Sequence, residues 1–167
     1  MTLAANGSNA VVQLDATRSF DVDSPALAFA WWADGGLLPL ATSSQASERL
    51  PIGRHLFVLG VSDGLAESMA EVSVEVLSPA EVIDQLVSQV SEAPLGRQNK
   101  RPLIATLKSA AASFERGNRT AGLNQLTAFQ HKAAAQLNRT DPAAVASLTE
   151  AVRQLISLLN SAETRGE

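Results

Sequence analysis

The sequence predicts two modules of different class, an all-β sandwich over residues 1–77 and an all-α antiparallel bundle of about four helices over residues 78–167. Three observations predict it. Apolar residues recur at every second position through the first half, the signature of strands with one face on a core. At Ser78 the period changes to helical spacing and keeps it. The charge changes at the same place. Met1–Pro79 carries three Arg/Lys against nine Asp/Glu, a net −6, whereas Ala80–Glu167 carries ten against eight, a net +2. Such asymmetry between halves points to separate modules.

The strands follow from their alternation. Val12 and Leu14, then Leu27, Phe29 and Trp31, then Phe57, Leu59 and Val61, then Val72, Val74 and Val76 each occupy every second position. Asp34-Gly35-Gly36, Pro51-Ile52-Gly53 and Asp63-Gly64 supply turn chemistry between them. The clearest strand is Glu71–Val76, with valines on one side and Glu71, Ser73 and Glu75 on the other.

Helical structure starts at Ser78-Pro79-Ala80-Glu81. The serine oxygen can accept from an exposed backbone N–H, the proline suits a first helical position, and the glutamate can reach back to the cap. The first helix carries Ile83, Leu86, Val87 and Val90 and ends near Ala93-Pro94. The second carries Leu103, Leu107, Ala110 and Phe114 and ends at Gly117, a residue suited to a left-handed C-terminal position. The third carries Leu123, Leu126, Phe129, Ala133 and Leu137. The fourth begins near Asp141-Pro142, carries Val145, Leu148, Val152, Leu155, Ile156 and Leu159, and gives way after Asn160 to a polar tail expected to fray. Short loops between such helices favour antiparallel neighbours. No linker separates strand from helix at Leu77-Ser78, so the expectation is a restrained junction.

Composition narrows the function classes. With 46% apolar residues the chain can bury a core, and with aromatics at 4% Ala, Leu and Val must fill most of it. The absence of cysteine excludes disulfides and thiolate metal sites without deciding the compartment. No apolar run approaches the roughly 20 residues of a membrane span. The opening MTLAANGSNA has neither the charged nor the hydrophobic region of a signal peptide and reads as the start of a segment cut from a longer chain. Neither half is basic enough to predict nucleic-acid binding.

In the first half a series of motifs resembles polycystic-kidney-disease-type (PKD) domains, an immunoglobulin-like β-sandwich family common in secreted bacterial enzymes and surface proteins. Val12-Gln13-Leu14-Asp15-Ala16 is similar to the family's V-x-L-D-[GA], and Ser19-Phe20-Asp21-Val22-Asp23 to its S-x-D-x-D. Leu27–Trp31 matches L-x-[YF]-x-W, and Gly53 to Gly64 follows G-x-Y-x-V-x-L-x-V-x-D-G. Two departures stand out. His55 replaces the family's tyrosine and its hydroxyl anchor, and Trp32-Ala33-Asp34-Gly35-Gly36 replaces F-G-D-G. Asn99–Leu137 resembles a bundle found toward the ends of long secreted bacterial proteins, a family that implies no activity.

Asp21 and Asp23 are candidate calcium ligands, because calcium takes six to eight hard oxygens and some relatives of the implied fold bind it near their strand ends. Their simpler role is to cap a turn. Trp31, in phase with Leu27 and Phe29, is expected in the core. Trp32 points the other way beside Ala28 and Ala30, an apolar outward face. Three readings stand for it: cover by the helical bundle, a platform for a sugar ring or another protein, or a ring lying flat across neighbouring strands.

His55 and His131 each lack a second histidine nearby, and zinc needs three or four ligands. Arg97, Lys100 and Arg101 read as a solvated loop, and Asn118-Arg-Thr and Asn138-Arg-Thr as helix caps that also fit a glycosylation pattern. No nucleophile elbow, phosphate loop or H-E-x-x-H is present.

The expectation is therefore a non-catalytic accessory region of a multidomain secreted or surface bacterial protein, acting as spacer, stabilising or binding module. Its partners would be other domains of the same parent chain, with carbohydrate or protein as further candidates. No cofactor is called for beyond candidate calcium. The rival is a dedicated carbohydrate- or protein-binding adhesion module using the face around Trp32. A third reading is a cytosolic protein in which these patterns arose independently.

Overall fold

The computed structural model describes residues 2–23, 26–137 and 142–164. Its strands are β1 (Thr2–Leu3), β2 (Asn9–Asp15), β3 (Ala28–Ala33), β4 (Gln45–Pro51), β5 (Gly53–Ser62) and β6 (Glu67–Leu77). The helices are α1 (Pro79–Glu92), α2 (Arg97–Glu115), α3 (Arg119–Leu137) and α4 (Pro142–Thr164). The chain divides into two compact units, one built on Asn9–Val76 and the other on Leu3–Ser8 together with the chain from Leu77 onward.

In the first unit β5 pairs antiparallel with β3 and with β6, and the four-stranded sheet runs β1-β6-β5-β3. The register sets Trp31 opposite Leu59 and Phe57 opposite Val72. A second sheet holds only β2 and β4, paired from Asn9↔Pro51 to Asp15↔Gln45. The alternation did not disclose β4. Its inward-phased positions, opposite Leu14, Val12 and Ala10, are Ala46, Glu48 and Leu50, and a glutamate in the middle breaks the apolar period. Val12, Leu14, Trp31, Leu50, Phe57 and Val76 are the large buried side chains of this unit. The Trp31 indole N–H donates to the Ser43 carbonyl at 3.0 Å, so its burial leaves no polar group stranded.

The second unit begins as expected. Ser78 Oγ accepts from the Glu81 N–H at 3.2 Å, and the Ser78 N–H donates to Glu81 Oε2 at 2.7 Å, a complete capping box. Helix α2 ends in a Schellman arrangement. Gly117 sits at φ 71°, its N–H donates to the Phe114 carbonyl, and the Asn118 N–H donates to the Ser113 carbonyl. Asn118 then caps α3, its Oδ1 accepting from the Ala121 N–H at 3.1 Å. Each helix packs on the next in sequence, around a core that includes Ile83, Leu103, Leu107, Leu126, Phe129, Val152 and Leu159.

Three expectations need correction here. First, an all-β immunoglobulin-like sandwich followed by an all-α antiparallel bundle is not the fold. The chain is mixed α/β, with a curled half-barrel sheet and four helices among the described residues. The physical reasons lie in pairings between distant residues: β2 finds only β4 as a partner, and Leu3–Ser8 belongs with the helices. Leu3 and Ala5 pack against the helical core, while Thr2–Leu3 forms the strand beside β6.

Second, Arg97, Lys100 and Arg101 are not in a loop but in the first turns of α2, which continues through Pro102. Third, α4 runs past Asn160 to Thr164. The expected cap at Asn138 lies outside the described residues, as does Asp141 at the expected start of the fourth helix.

Candidate functional site

The chemistry-bearing residues of the β unit gather at its turns. At one end the segment between β2 and β3 meets the β5–β6 turn. Asp21 Oδ1 there accepts from the Asp23 N–H at 2.8 Å, so the carboxylate is folded back on its own backbone. Asp63 does the same, accepting from the N–H groups of Leu65 at 2.8 Å and Ala66 at 2.7 Å. The Ala66 and Leu65 amides hold the Asp63 carboxyl below the ordinary carboxylate value. Among the described residues no group of three or more His, Asp or Glu side chains is placed to hold a metal ion.

The same end carries an open groove of about 320 Å³ lined by Arg18, Phe20, Leu59, Val61, Met69 and Ala70. A smaller hollow of about 140 Å³ adjoins it, with Phe20 and Val61 shared and Asp21 and Asp63 on its rim. Phe20 is 84% exposed and Met69 64%. Sequence reasoning passed over Phe20 because it sits at an unspecified position of the S-x-D-x-D turn. The available signal was an aromatic beside the acidic turn residue Asp21, where packing does not need one.

Trp32, on the outer face of β3, is half-buried, opposite Val58 and diagonal to Gly60. Its ring lies over Gly60: a Cβ built there would stand 3.0 and 3.2 Å from two ring carbons, and 2.9 Å from Glu67 Oε1. A diagonal aromatic covering a strand glycine restores the surface that the glycine lacks. Leu56 and Met69 occupy the same outer face, and both are exposed.

At the opposite end, His55 and Asp34 meet each other. His55 Nδ1 lies 3.1 Å from Asp34 Oδ2, and Nε2 lies 3.0 Å from the Pro51 carbonyl. Asp34 Oδ1 also accepts from the Leu56 N–H at 2.8 Å. Asp34 adopts φ 49°, a left-handed position that a short polar side chain tolerates. Both acceptors ask for an N–H, so the doubly protonated ring suits the site. The Asp34 hydrogen bond, then that of Pro51, raises the His55 pKa above its ordinary 6.5. The Leu56 amide, then His55, lowers that of Asp34 below 3.8.

Both ring nitrogens are thus engaged within the chain, and the Asp–His couple ties the end of β3 to the start of β5. His131 lies exposed on α3. Lys100 donates to the Ser91 carbonyl at 2.6 Å, near the end of α1. No helix among the described residues is long and apolar enough to cross a membrane.

No family model matches the sequence, and no curated protein or solved structure is significantly similar to it.

Proposed function

We propose that the protein is a non-catalytic accessory region of a multidomain secreted or surface protein, and that its β unit is a binding module. The observation that carries the binding reading is the open apolar groove beside Phe20, which is itself 84% exposed. A surface of this form fits a macromolecular segment better than a small molecule, which needs most of its area enclosed. The multidomain setting is supported by the order of motifs from Val12 to Gly64, which resembles that of PKD domains. The non-catalytic reading is supported by the engagement of both His55 nitrogens within the chain.

Adhesion through the outer face around Trp32 is the second reading, favoured by the exposure of Leu56 and Met69 on that face. The two are separated by presenting the protein to a peptide library and a glycan array beside a general hydrolase and transferase screen. The binding-module reading expects no turnover and saturable peptide binding that is lost in Phe20→Asp and kept in Trp32→Ala. Binding lost only in Trp32→Ala would shift the assignment to the outer face, and turnover would overturn both.

A further inference from the structure

We propose that the open edge of β6 receives an extended segment of a partner protein in which apolar and cationic side chains alternate. The inference rests on the binding-module reading and names the partner's chemistry. Strand β6 is 11 residues long, and Glu67–Ser73 is exposed residue after residue on both faces. One edge is paired with β5 from Ser62↔Glu67 to Gly53↔Val76. On the other, only the two-residue β1 follows it in sheet order among the described residues. An edge of this length presents unpaired N–H and C=O groups that template a further strand.

The two faces of β6 specify what such a strand must carry. Val72 is opposite Phe57 and Ala70 opposite Leu59, so Ala70, Val72 and Val74 share the face of the buried core, and Ala70 lines the groove. Val72 is nevertheless 43% exposed. An added strand with apolar residues on this face would cover it.

On the other face Glu67, Glu71 and Glu75 recur every four residues in a single row. Cationic side chains on an added strand would lie beside them, and opposite charges on neighbouring strands are favourable where like charges are not. The net −6 of Met1–Pro79 steers a basic segment inward and disfavours a second copy bringing its own glutamate row.

The test uses the full chain and a labelled nonapeptide alternating lysine and valine, with a glutamate–valine counterpart. Fluorescence anisotropy is expected to show saturable binding of the basic peptide only, weakened about tenfold or more by Glu71→Lys with Glu75→Lys. Hydrogen exchange is expected to slow at the backbone amides of residues 68–74. No saturable binding, equal binding of the acidic peptide, protection elsewhere, or self-association through β6 in sedimentation would each overturn the proposal. If library peptides still bind in a Phe20-dependent way while the lysine–valine peptide does not, the edge proposal falls and the binding-module reading stands. If neither binds, both fall.

Discussion

His55 shows how one side chain can anchor two segments at once. Its two ring nitrogens lie within hydrogen-bond distance of Asp34 and of the Pro51 carbonyl. Its folded pKa lies above the unfolded value of 6.5, so its stabilisation is complete below that pH and is lost as pH rises through the folded value. Asp34 is displaced the other way, so its contribution is present above 3.8 and is lost as pH falls through its folded value. His55→Gln is therefore expected to cost about 1–2 kcal/mol at pH 6 and less at pH 8, as two hydrogen bonds to a charged ring are replaced. Melting curves of both proteins across that range check it; a constant difference would refute the charged form. At Gly60 the expected effect is smaller. Gly60→Ala should displace the Trp32 ring and shift its fluorescence with little loss of stability, because the atoms it meets belong to side chains that can move.

At the scale of elements, local chemistry sets the start of α1, the end of α2 and the start of α3, and a glycine sits where α3 meets α2. Ser78→Ala removes the acceptor for the Glu81 N–H, and about 1 kcal/mol of stability is the expected loss, measured by denaturant unfolding. Gly122 lies in α3 where the helix meets Phe114 of α2; a Cβ there would stand 2.5 Å from the ring. Helix propensity favours alanine by about 1 kcal/mol, but the clash costs about 1–3 kcal/mol. Gly122→Ala is thus expected to destabilise, and Phe114→Leu in the same chain to recover much of the loss. A double-mutant cycle showing additivity would remove Phe114 as the cause. The same scale explains why β4 stayed hidden in the sequence. A strand is legible when its inward positions are apolar, and Glu48 occupies the middle one.

Across the whole molecule, the opening segment is where the division of the chain departs from its order in sequence. Leu3 and Ala5 pack on the helical core, and Arg119 at the start of α3 donates to the Ala5 carbonyl at 2.9 Å and to the Leu159 carbonyl. One guanidinium thus ties the first residues of the chain to two helices. Arg119→Met keeps the stem and removes these bonds, and a loss of about 1.5–3 kcal/mol is expected in the helical unit. Both tryptophans lie in the β unit, so tryptophan fluorescence and far-UV circular dichroism report the two units separately. The expectation is an earlier dichroism transition with the fluorescence transition unchanged, and faster hydrogen exchange at residues 4–8.

Local order was legible because it arises from neighbours in the chain. The strands through Val12, Trp31, Phe57 and Val76, the capping box at Ser78, the Gly117 stop and the Asn118 cap each follow from residues within a few positions. Fold class and site depend on residues far apart. The narrow second sheet, the return of Leu3–Ser8 to the helices, the joining of His55 to Asp34 and the groove beside Phe20 arise from pairings 21 to 114 residues apart. A periodic pattern says which face of a strand is apolar; it does not say whether another strand will cover that face. In this protein part of the face remains open, and that openness, decided only when the chain folds, is where its function is proposed to lie.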